Sequence, residues 1–429
     1  PVGIETGSAE AGACIARSIF EPGDVKTVLS PRASDNAEFT AFLSPEDELH
    51  RNAAAIIQQE FASNPNLKAV VSDVRTPSGI WHVPPPNRQL LRHYSYEGVP
   101  VFFRRGRASS TDWSTGLEPE EIRHIALPLV ERAQVLTGSA FGTPPLPVLT
   151  VAPTVSIIIP TARRTDLLRK SLKGLCITEY PALQVVIVDN GADPTELECA
   201  IREEAAGLDL IVIRDHSSFN FSRLCNVGVK ASSGSVILLM NDDVEAINTD
   251  WLTRMVGSVM EEGVGAVGAR LLFPDHTLQH AGLMIGLGGI AGHFWKGMSS
   301  VLTAFNPHIT YPGDRLAVTG ACLAVGREIY DSVAGLDEVE FPIGFSDVDF
   351  CLRLVEKGKR NIYRGDAVLI HQESQSRGVD DVNVKKSRAR IAENKRFLAR
   401  WKYLFGQDPV LTLGYDLRSE TAKTHRALV

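Results

Sequence analysis

Cysteine is scarce in this 429-residue chain: six residues, scattered, with no C-x-x-C pair. That spacing argues against a disulfide framework or a structural zinc site and for a reducing compartment. Long apolar runs are missing as well. No stretch approaches the roughly 20 residues that span a bilayer, and the least polar one, residues 281–292, is short and Gly-rich. No signal-peptide pattern is visible, and the chain opens on Pro1 rather than Met. A cytoplasmic protein is expected, free or at the inner face of the cytoplasmic membrane. Excess positive charge is absent too. The net charge is -7, so the chain as a whole is no polyanion binder and nucleic acid is not an expected partner. The local basic clusters Arg104-Arg105-Gly106-Arg107 and Lys385-Lys386-Ser387-Arg388 read as solvated faces. A P-loop signature and a G-x-S-x-G elbow do not occur. The loose G-x-G-x-x-A match at Gly286-Leu287-Gly288-Gly289-Ile290-Ala291 is not in a first βα turn. No acidic residue closes a strand downstream of it, so it carries little weight for a dinucleotide site.

What is present is ordinary globular protein, 44% hydrophobic and 22% charged, long enough for two domains or three. The clearest break is Gly142-Thr143-Pro144-Pro145-Leu146-Pro147 followed by Pro153. It predicts a linker over 142–154 between a domain of residues 1–141 and one of 155–382, with a helical tail over 383–429. Before the linker the pattern predicts helices over 46–62 and 118–137 and strands over 69–73 and 99–103, with Pro84-Pro85-Pro86 breaking regular structure. After it, strands alternate with helices: strands over 155–160, 183–188, 210–213 and 236–240, helices over 163–176, 194–206 and 222–231. That alternation predicts an α/β, doubly wound, mainly parallel sheet. Further strands are expected over 320–325 and 363–370, and an amphipathic helix beginning near Gly344.

Ligands of such sheets sit outside the carboxyl ends of the strands. The ends here deliver Pro160-Thr161, Asp189-Asn190, Asp215-His216 and Asn241-Asp242-Asp243. The last is the pivotal one: the apolar run 236–240 stops at two adjacent carboxylates. Paired acids suit a divalent cation also held by phosphate oxygens. The plainer alternative is a polar turn, with Asp242 or Asp243 capping the next helix.

Several phrases in order resemble the inverting, GT-A-type nucleotide-sugar glycosyltransferases of family 2, in particular the bacterial polysaccharide and rhamnosyltransferase-like branch. They are Val155-Ser156-Ile157-Ile158-Ile159-Pro160-Thr161, Val186-Ile187-Val188-Asp189-Asn190-Gly191, Phe219-Asn220-Phe221-Ser222 with Asn226 and Gly228, Leu238-Leu239-Met240-Asn241-Asp242-Asp243, Gln279-His280-Ala281-Gly282, Gly320-Ala321-Cys322, Ser346-Asp347-Val348-Asp349, and His371-Gln372-Glu373-Ser374 with Arg377. The resemblance implies a nucleoside-diphosphate sugar donor, UDP- or dTDP-linked, a glycan or lipid-linked glycan acceptor, and Mn²⁺ or Mg²⁺. It places Pro160, Thr161, Asp189, Asn220, Asn226, Asp242 and Arg377 with the donor, Asp189 reading the nucleobase. Asp243 and His371 become metal ligands, and Asp347 the catalytic base. Gly320 and Asp349 fall beside the acceptor, Asp349 with a structural role as the other reading. Plainer roles remain for Asp189 as a cap, Asp347 as a helix N-terminal acid and His371 as a core histidine; His280 and His293 stay unplaced. Asn241 and Ser346 stand where the family usually has acids. That motivates one competing reading, an inactive carbohydrate- or nucleotide-binding module. A second, a sugar nucleotidyltransferase, would want a Gly-rich loop after the first strand, and Pro160-Thr161-Ala162-Arg163-Arg164 has no glycine. Residues 42–49, 71–73 and 123–125 faintly resemble the later half of another such domain, with Pro45-Glu46-Asp47 as its D-x-D region. They read as a reduced, inactive copy or as an unrelated α/β module.

Overall fold

The computed structural model describes residues 19–21, 24–26, 39–43, 47–77, 79–81, 83–93, 96, 99–104, 114, 116–132, 144–162, 164–299, 306–372 and 384–410. The chain divides into two compact units, Pro1–Phe141 with Thr412–Gly414, and Gly142–Leu411 with Tyr415–Val429.

In the first unit a hairpin, β1 (Ile19–Glu21) and β2 (Asp24–Lys26), stands apart from a six-stranded sheet. That sheet contains β3 (Phe39–Phe42), β4 (Asp47–Leu49), β5 (Ala69–Thr76), β6 (Gly79–Trp81), β7 (Val101–Arg104) and β8 (Ile122–Arg132) in the order β3-β7-β5-β8-β4, with β6 on β5. Two expected helices are corrected here. Residues 47–49 are strand, and the helix behind them is Ala53–Ser63. Most of 118–137 is also strand, because Pro128 cannot sit inside a helix. The chain places Pro128 at an irregularity where the pairing steps from Ser72↔Ile125 to Asp73↔Pro128, the kind of site where strands tolerate proline. The supposed D-x-D acid of this unit, Asp47, is buried in a two-pronged ion pair with Arg132, at 2.5 and 2.7 Å. Its oxygens bind a guanidinium of the same sheet, so the D-x-D reading of this segment fails.

The second unit is built on a ten-stranded mixed sheet. Its strands are β9 (Val155–Thr161), β10 (Leu183–Asp189), β11 (Asp209–Arg214), β12 (Val236–Met240), β13 (Val244–Ala246), β14 (Val264–Leu272), β15 (Leu278–His280), β18 (Gly313–Arg315), β19 (Cys322–Gly326) and β20 (Arg360–His371). A separate hairpin joins β16 (Leu283–Ile285) and β17 (Ala291–His293). The main path runs β11-β10-β9-β12-β19-β14-β20-β13. The first four strands are mutually parallel, as the alternation with helices requires. Then β19 runs antiparallel to both β12 and β14. The α/β class holds, while the mixed second half was not legible.

Alternate residues of the central strands point to opposite faces. Ile158, Val186, Val188, Ile237 and Leu239 enter one core, beneath the helix Phe221–Ala231. Ile157, Ile159, Val185, Ile187, Leu238 and Met240 enter the other, against the helices Thr165–Cys176 and Trp251–Val259. Each fully buried aliphatic side chain contributes roughly 1.5–3 kcal/mol, so the strand ends that carry polar residues are rigidly held. Gly174 shows how closely the first helix sits over β13: a Cβ there would lie 2.6 Å from the Ala246 nitrogen.

Candidate active site

The strand β12 ends at Met240, and the next three residues turn across the ends of the neighbouring strands. Asp242 and Asp243 are both buried, and neither caps a helix, since the following one begins only at Trp251. Asp242 is tied to the end of β9 by the Thr161 hydroxyl, which donates to its Oδ2 at 2.7 Å. From the helix above, Ser171 Oγ lies 2.8 and 2.6 Å from the carbonyls of Asp242 and Val244. Asp243 faces His371, the last residue of β20, with Oδ1 and Nε2 3.0 Å apart. His371 Nδ1 lies 2.8 Å from Gln279 Oε1. An amide oxygen accepts only, so Nδ1 carries the proton and Nε2 is turned toward Asp243. The Gln372 N–H donates to the Asp243 carbonyl at 3.0 Å, and Lys170 Nζ reaches the Gln372 amide oxygen at 2.9 Å.

This donor set fits a small hard cation. Two neighbouring ligands of an octahedral ion, each about 2.1 Å from it, lie about 3.0 Å apart, which is the Asp243–His371 separation. Among the described residues no group of three His, Cys, Asp or Glu side chains is placed to hold a metal. Asn241 sits beside the pair, its Nδ2 3.5 Å from His371 Nε2.

A second centre lies one strand away. The carboxylate of Asp347, in the first turn of the helix Ser346–Glu356, is half-buried. Its Oδ2 accepts the Gly320 N–H at 2.8 Å and its Oδ1 the Val348 N–H at 2.9 Å. A carboxylate offers about four acceptor positions, so capacity remains for a substrate hydroxyl. The two centres are coupled through adjacent residues: the Asn241 N–H donates to the Ala321 carbonyl at 3.0 Å, and Gly320 holds Asp347. The Thr319 N–H in turn points at His280 Nε2, at 3.4 Å. His280 is wholly buried, with Nδ1 2.9 Å from His293 Nδ1. Burial, with the charges of His293, Arg315 and His371 nearby, pushes this imidazole well below its ordinary range.

The donor-side residues divide. Asp189, at the end of β10, accepts from the Gly191 and Ala192 N–H groups through Oδ1, at 3.0 and 2.8 Å. Its Oδ2 lies 4.0 Å from Arg214 Nε. Pro160 and Thr161 lie in register with Val188 and Asp189, so these strand ends sit side by side. Nearby, Arg223 and Ser217 hold the Asp215 carboxyl well below the usual carboxylate range. The side chains of Asn220 and Asn226 are engaged within the fold. Asn220 caps the helix Phe221–Ala231 and donates to the Glu338 carbonyl at 2.9 Å. Asn226 is satisfied by Leu336, Glu338 and the Tyr330 hydroxyl. Both serve as staples between that helix and the 336–338 turn. Asp349 is fully buried, with Trp401 Nε1 on Oδ1 at 3.0 Å and Arg353 Nε on Oδ2 at 2.7 Å, which supports the structural reading over the acceptor one. Arg377 lies outside the described residues. Gln279, Lys170, Ser171 and Gln372 had no assigned role from sequence; Gln279 and Gln372 stood in quoted phrases, while Lys170 and Ser171 carried no signal.

Residues 156–297 match the family model described as Glycosyl transferase family 2. The chain is 40% identical over 272 residues to the uncharacterized protein y4gI of Sinorhizobium fredii, covering 60% of this chain and 28% of that protein. It is 34% identical over 291 residues to the O-antigen biosynthesis protein RfbC of Myxococcus xanthus, covering 65% and 22%. The chain thus spans about a quarter of the length of these relatives. A distant likeness extends to the mannosyltransferase PcManGT from Pyrobaculum calidifontis, solved with GDP-Man and Mn²⁺, at 18% identity, TM-score 0.43, and 58% and 64% coverage. Among the described residues no helix is long and apolar enough to cross a membrane. The matched segment begins in β9 and runs through the acid turn past β17, so the second unit contains the stretch that matches the glycosyl transferase family 2 model.

Proposed function

We propose that the second unit is an inverting glycosyltransferase. It would move a sugar from a UDP- or dTDP-linked donor to a hydroxyl of a bacterial surface polysaccharide or other glycan. The reading rests on one observation above all: the acid turn and the Asp347 carboxylate are fixed to adjacent residues, Ala321 and Gly320, of a single segment. A donor diphosphate and an acceptor hydroxyl can be served side by side there. An inactive binding module would not need a half-exposed carboxylate with spare acceptor capacity.

Asp347 takes the acceptor hydroxyl proton as that oxygen attacks the anomeric carbon from the face opposite the diphosphate. The new C–O bond forms as the bond to the diphosphate breaks, and the electron pair leaves on the diphosphate oxygen. Asp243 and His371 would hold Mn²⁺ or Mg²⁺, which neutralises charge developing on the leaving group. Thr161 keeps Asp242 in place beside it, and Asp189 offers Oδ2 to an N–H of the base. Polysaccharide work is suggested by the name of the Myxococcus relative.

The test uses a panel of UDP-glucose, UDP-galactose, UDP-N-acetylglucosamine and dTDP-rhamnose, scored for nucleoside-diphosphate release and for binding by calorimetry. In Asp347→Asn, turnover should fall about 10²–10⁴-fold, the usual worth of a general base, with donor Kd unchanged. Loss of both together would make Asp347 a structural cap or a metal ligand. Wild-type turnover in this variant would refute the assignment.

A further inference from the structure

The helix Val384–Trp401 makes contacts that bracket one residue. Before Asp347, the buried Glu393 accepts the N–H groups of Ile343 and Gly344 through Oε1, at 3.3 and 3.2 Å. A Cβ on Gly344 would lie 2.8 Å from Glu393 Oε2, so the carboxylate rests directly on the turn. Phe397 stacks on Phe345, with ring centroids 4.7 Å apart. After Asp347, Trp401 Nε1 donates to Asp349 Oδ1 at 3.0 Å, and Arg400 reaches the same oxygen at 3.1 Å. The bracket closes on itself, since the Asp349 N–H donates to the Phe345 carbonyl at 2.8 Å.

Phe345 has φ +58°. A bulky residue holds that conformation only where its surroundings impose it. The surroundings here are Phe397, Glu393 and the start of the helix that carries Asp347. The other members of the site, Asp242, Asp243 and His371, are held by β9, β15 and the helix Thr165–Cys176.

We infer that the helix Val384–Trp401 is a clamp on the general base, and that Glu393 and Trp401 are positioning residues for Asp347. Neither touches substrate. They fix the turn and the first helical residues between which the base is carried, and so its distance from the acceptor oxygen. The inference rests on Asp347 being the base; the clamp itself is a mechanical statement that can be checked without turnover.

Two readouts test it on the full chain. The first is hydrogen–deuterium exchange. Glu393→Met should speed exchange of amides in 341–350 and leave 155–161 and 236–246 at wild-type rates. Unchanged exchange in 341–350 refutes the clamp, whatever the activity. The second is nucleoside-diphosphate release from the best donor of the panel above. Displacement of a reacting group by about 1 Å can cost on the order of 10²-fold, so Glu393→Met should lower kcat at least tenfold with donor KM little changed. Glu393→Gln keeps an acceptor oxygen and should restore most of it. Trp401→Phe keeps the ring packing and removes only the indole N–H, and should give a smaller loss of the same kind. A parallel rise in donor KM, or Gln failing as Met does, would make the helix a general structural element instead. If the variants loosen 341–350 while Asp347→Asn turns over normally, the clamp stands and the base assignment falls.

Discussion

His280 makes the stability of the second unit depend on pH in a specific window. Its Nε2 receives the Thr319 N–H at 3.4 Å, so the native ring is neutral on that side. It is wholly buried, and burial, followed by the charges of His293, Arg315 and His371, lowers its affinity for a proton. The unfolded chain releases it near pH 6.5, the ordinary histidine value. Below that pH the unfolded state binds more protons than the native state, so stability rises with pH there and is lost as pH falls. One proton gives a slope of about 1.36 kcal/mol per pH unit. With the native ring neutral, the loss from pH 8 to pH 5 is therefore about 2 kcal/mol. Other groups titrate over the same range, so the quantity to measure is a difference. Urea unfolding followed by tryptophan fluorescence at pH 8, 7, 6 and 5 should be compared between the wild-type chain and His280→Gln, whose amide oxygen can still accept from Thr319. The variant should be less stable at pH 8 by about 1–3 kcal/mol for lost packing and imperfect hydrogen bonding. The gap should narrow by about 2 kcal/mol at pH 5. Parallel stability curves would show that His280 already takes up a proton in the native state, and the Thr319 contact would then be misassigned.

Two further outcomes follow from buried charge. Asp47→Asn should leave nucleoside-diphosphate release unchanged but destabilise the first unit by about 3–5 kcal/mol, because Arg132 is left buried without its partner; Asp47→Leu with Arg132→Met should cost much less in the same urea titration, and a large rate loss from Asp47→Asn would restore a catalytic reading of that unit. UDP or dTDP should bind more tightly with Mn²⁺ than with chelator, and Asp243→Ala should abolish the difference; equal calorimetric affinity with and without metal in the unaltered chain would remove the Asp243–His371 pair from the metal assignment.

The parallel half of the second unit was legible because its inner strands β9, β10 and β12 are buried on both faces. Each is a short, nearly continuous apolar run closed by a polar residue, too short for a helix of ordinary length. The acid turn followed from where such a run stops. The antiparallel β19 gave no warning, since a buried strand reads the same in either direction. The strand at Ile122–Arg132 was hidden by its bulge. Three residues, Ala126, Leu127 and Leu129, are skipped in its pairing with β5, which spoils the period of two and leaves spacings that imitate a helix.

The site residues that misled have a common cause. Asn226 and Asp349 lie in phrases that resemble the family's, and their side chains could serve a ligand as well as a neighbour. What decides between the two is the partner, and apart from Arg353, four positions after Asp349, the partners are far away in sequence. Asn226 is met by Tyr330 and Glu338, 104 and 112 positions on; Asp349 is met by Trp401, 52 positions on. No local pattern encodes such a meeting. The same logic changes the meaning of Asn241. Read as a sequence, an amide in place of an acid looked like a weakened metal ligand. In the fold its backbone N–H joins the acid turn to the Gly320–Ala321 segment, and its side chain stands next to His371 Nε2. A third carboxylate there would add a like charge beside Asp242 and Asp243, both buried, and like charges in a shared site oppose one another's ionisation. An uncharged residue at 241 adds no such charge, so the departure from the family pattern is compatible with the metal binding proposed above and does not by itself favour an inactive module.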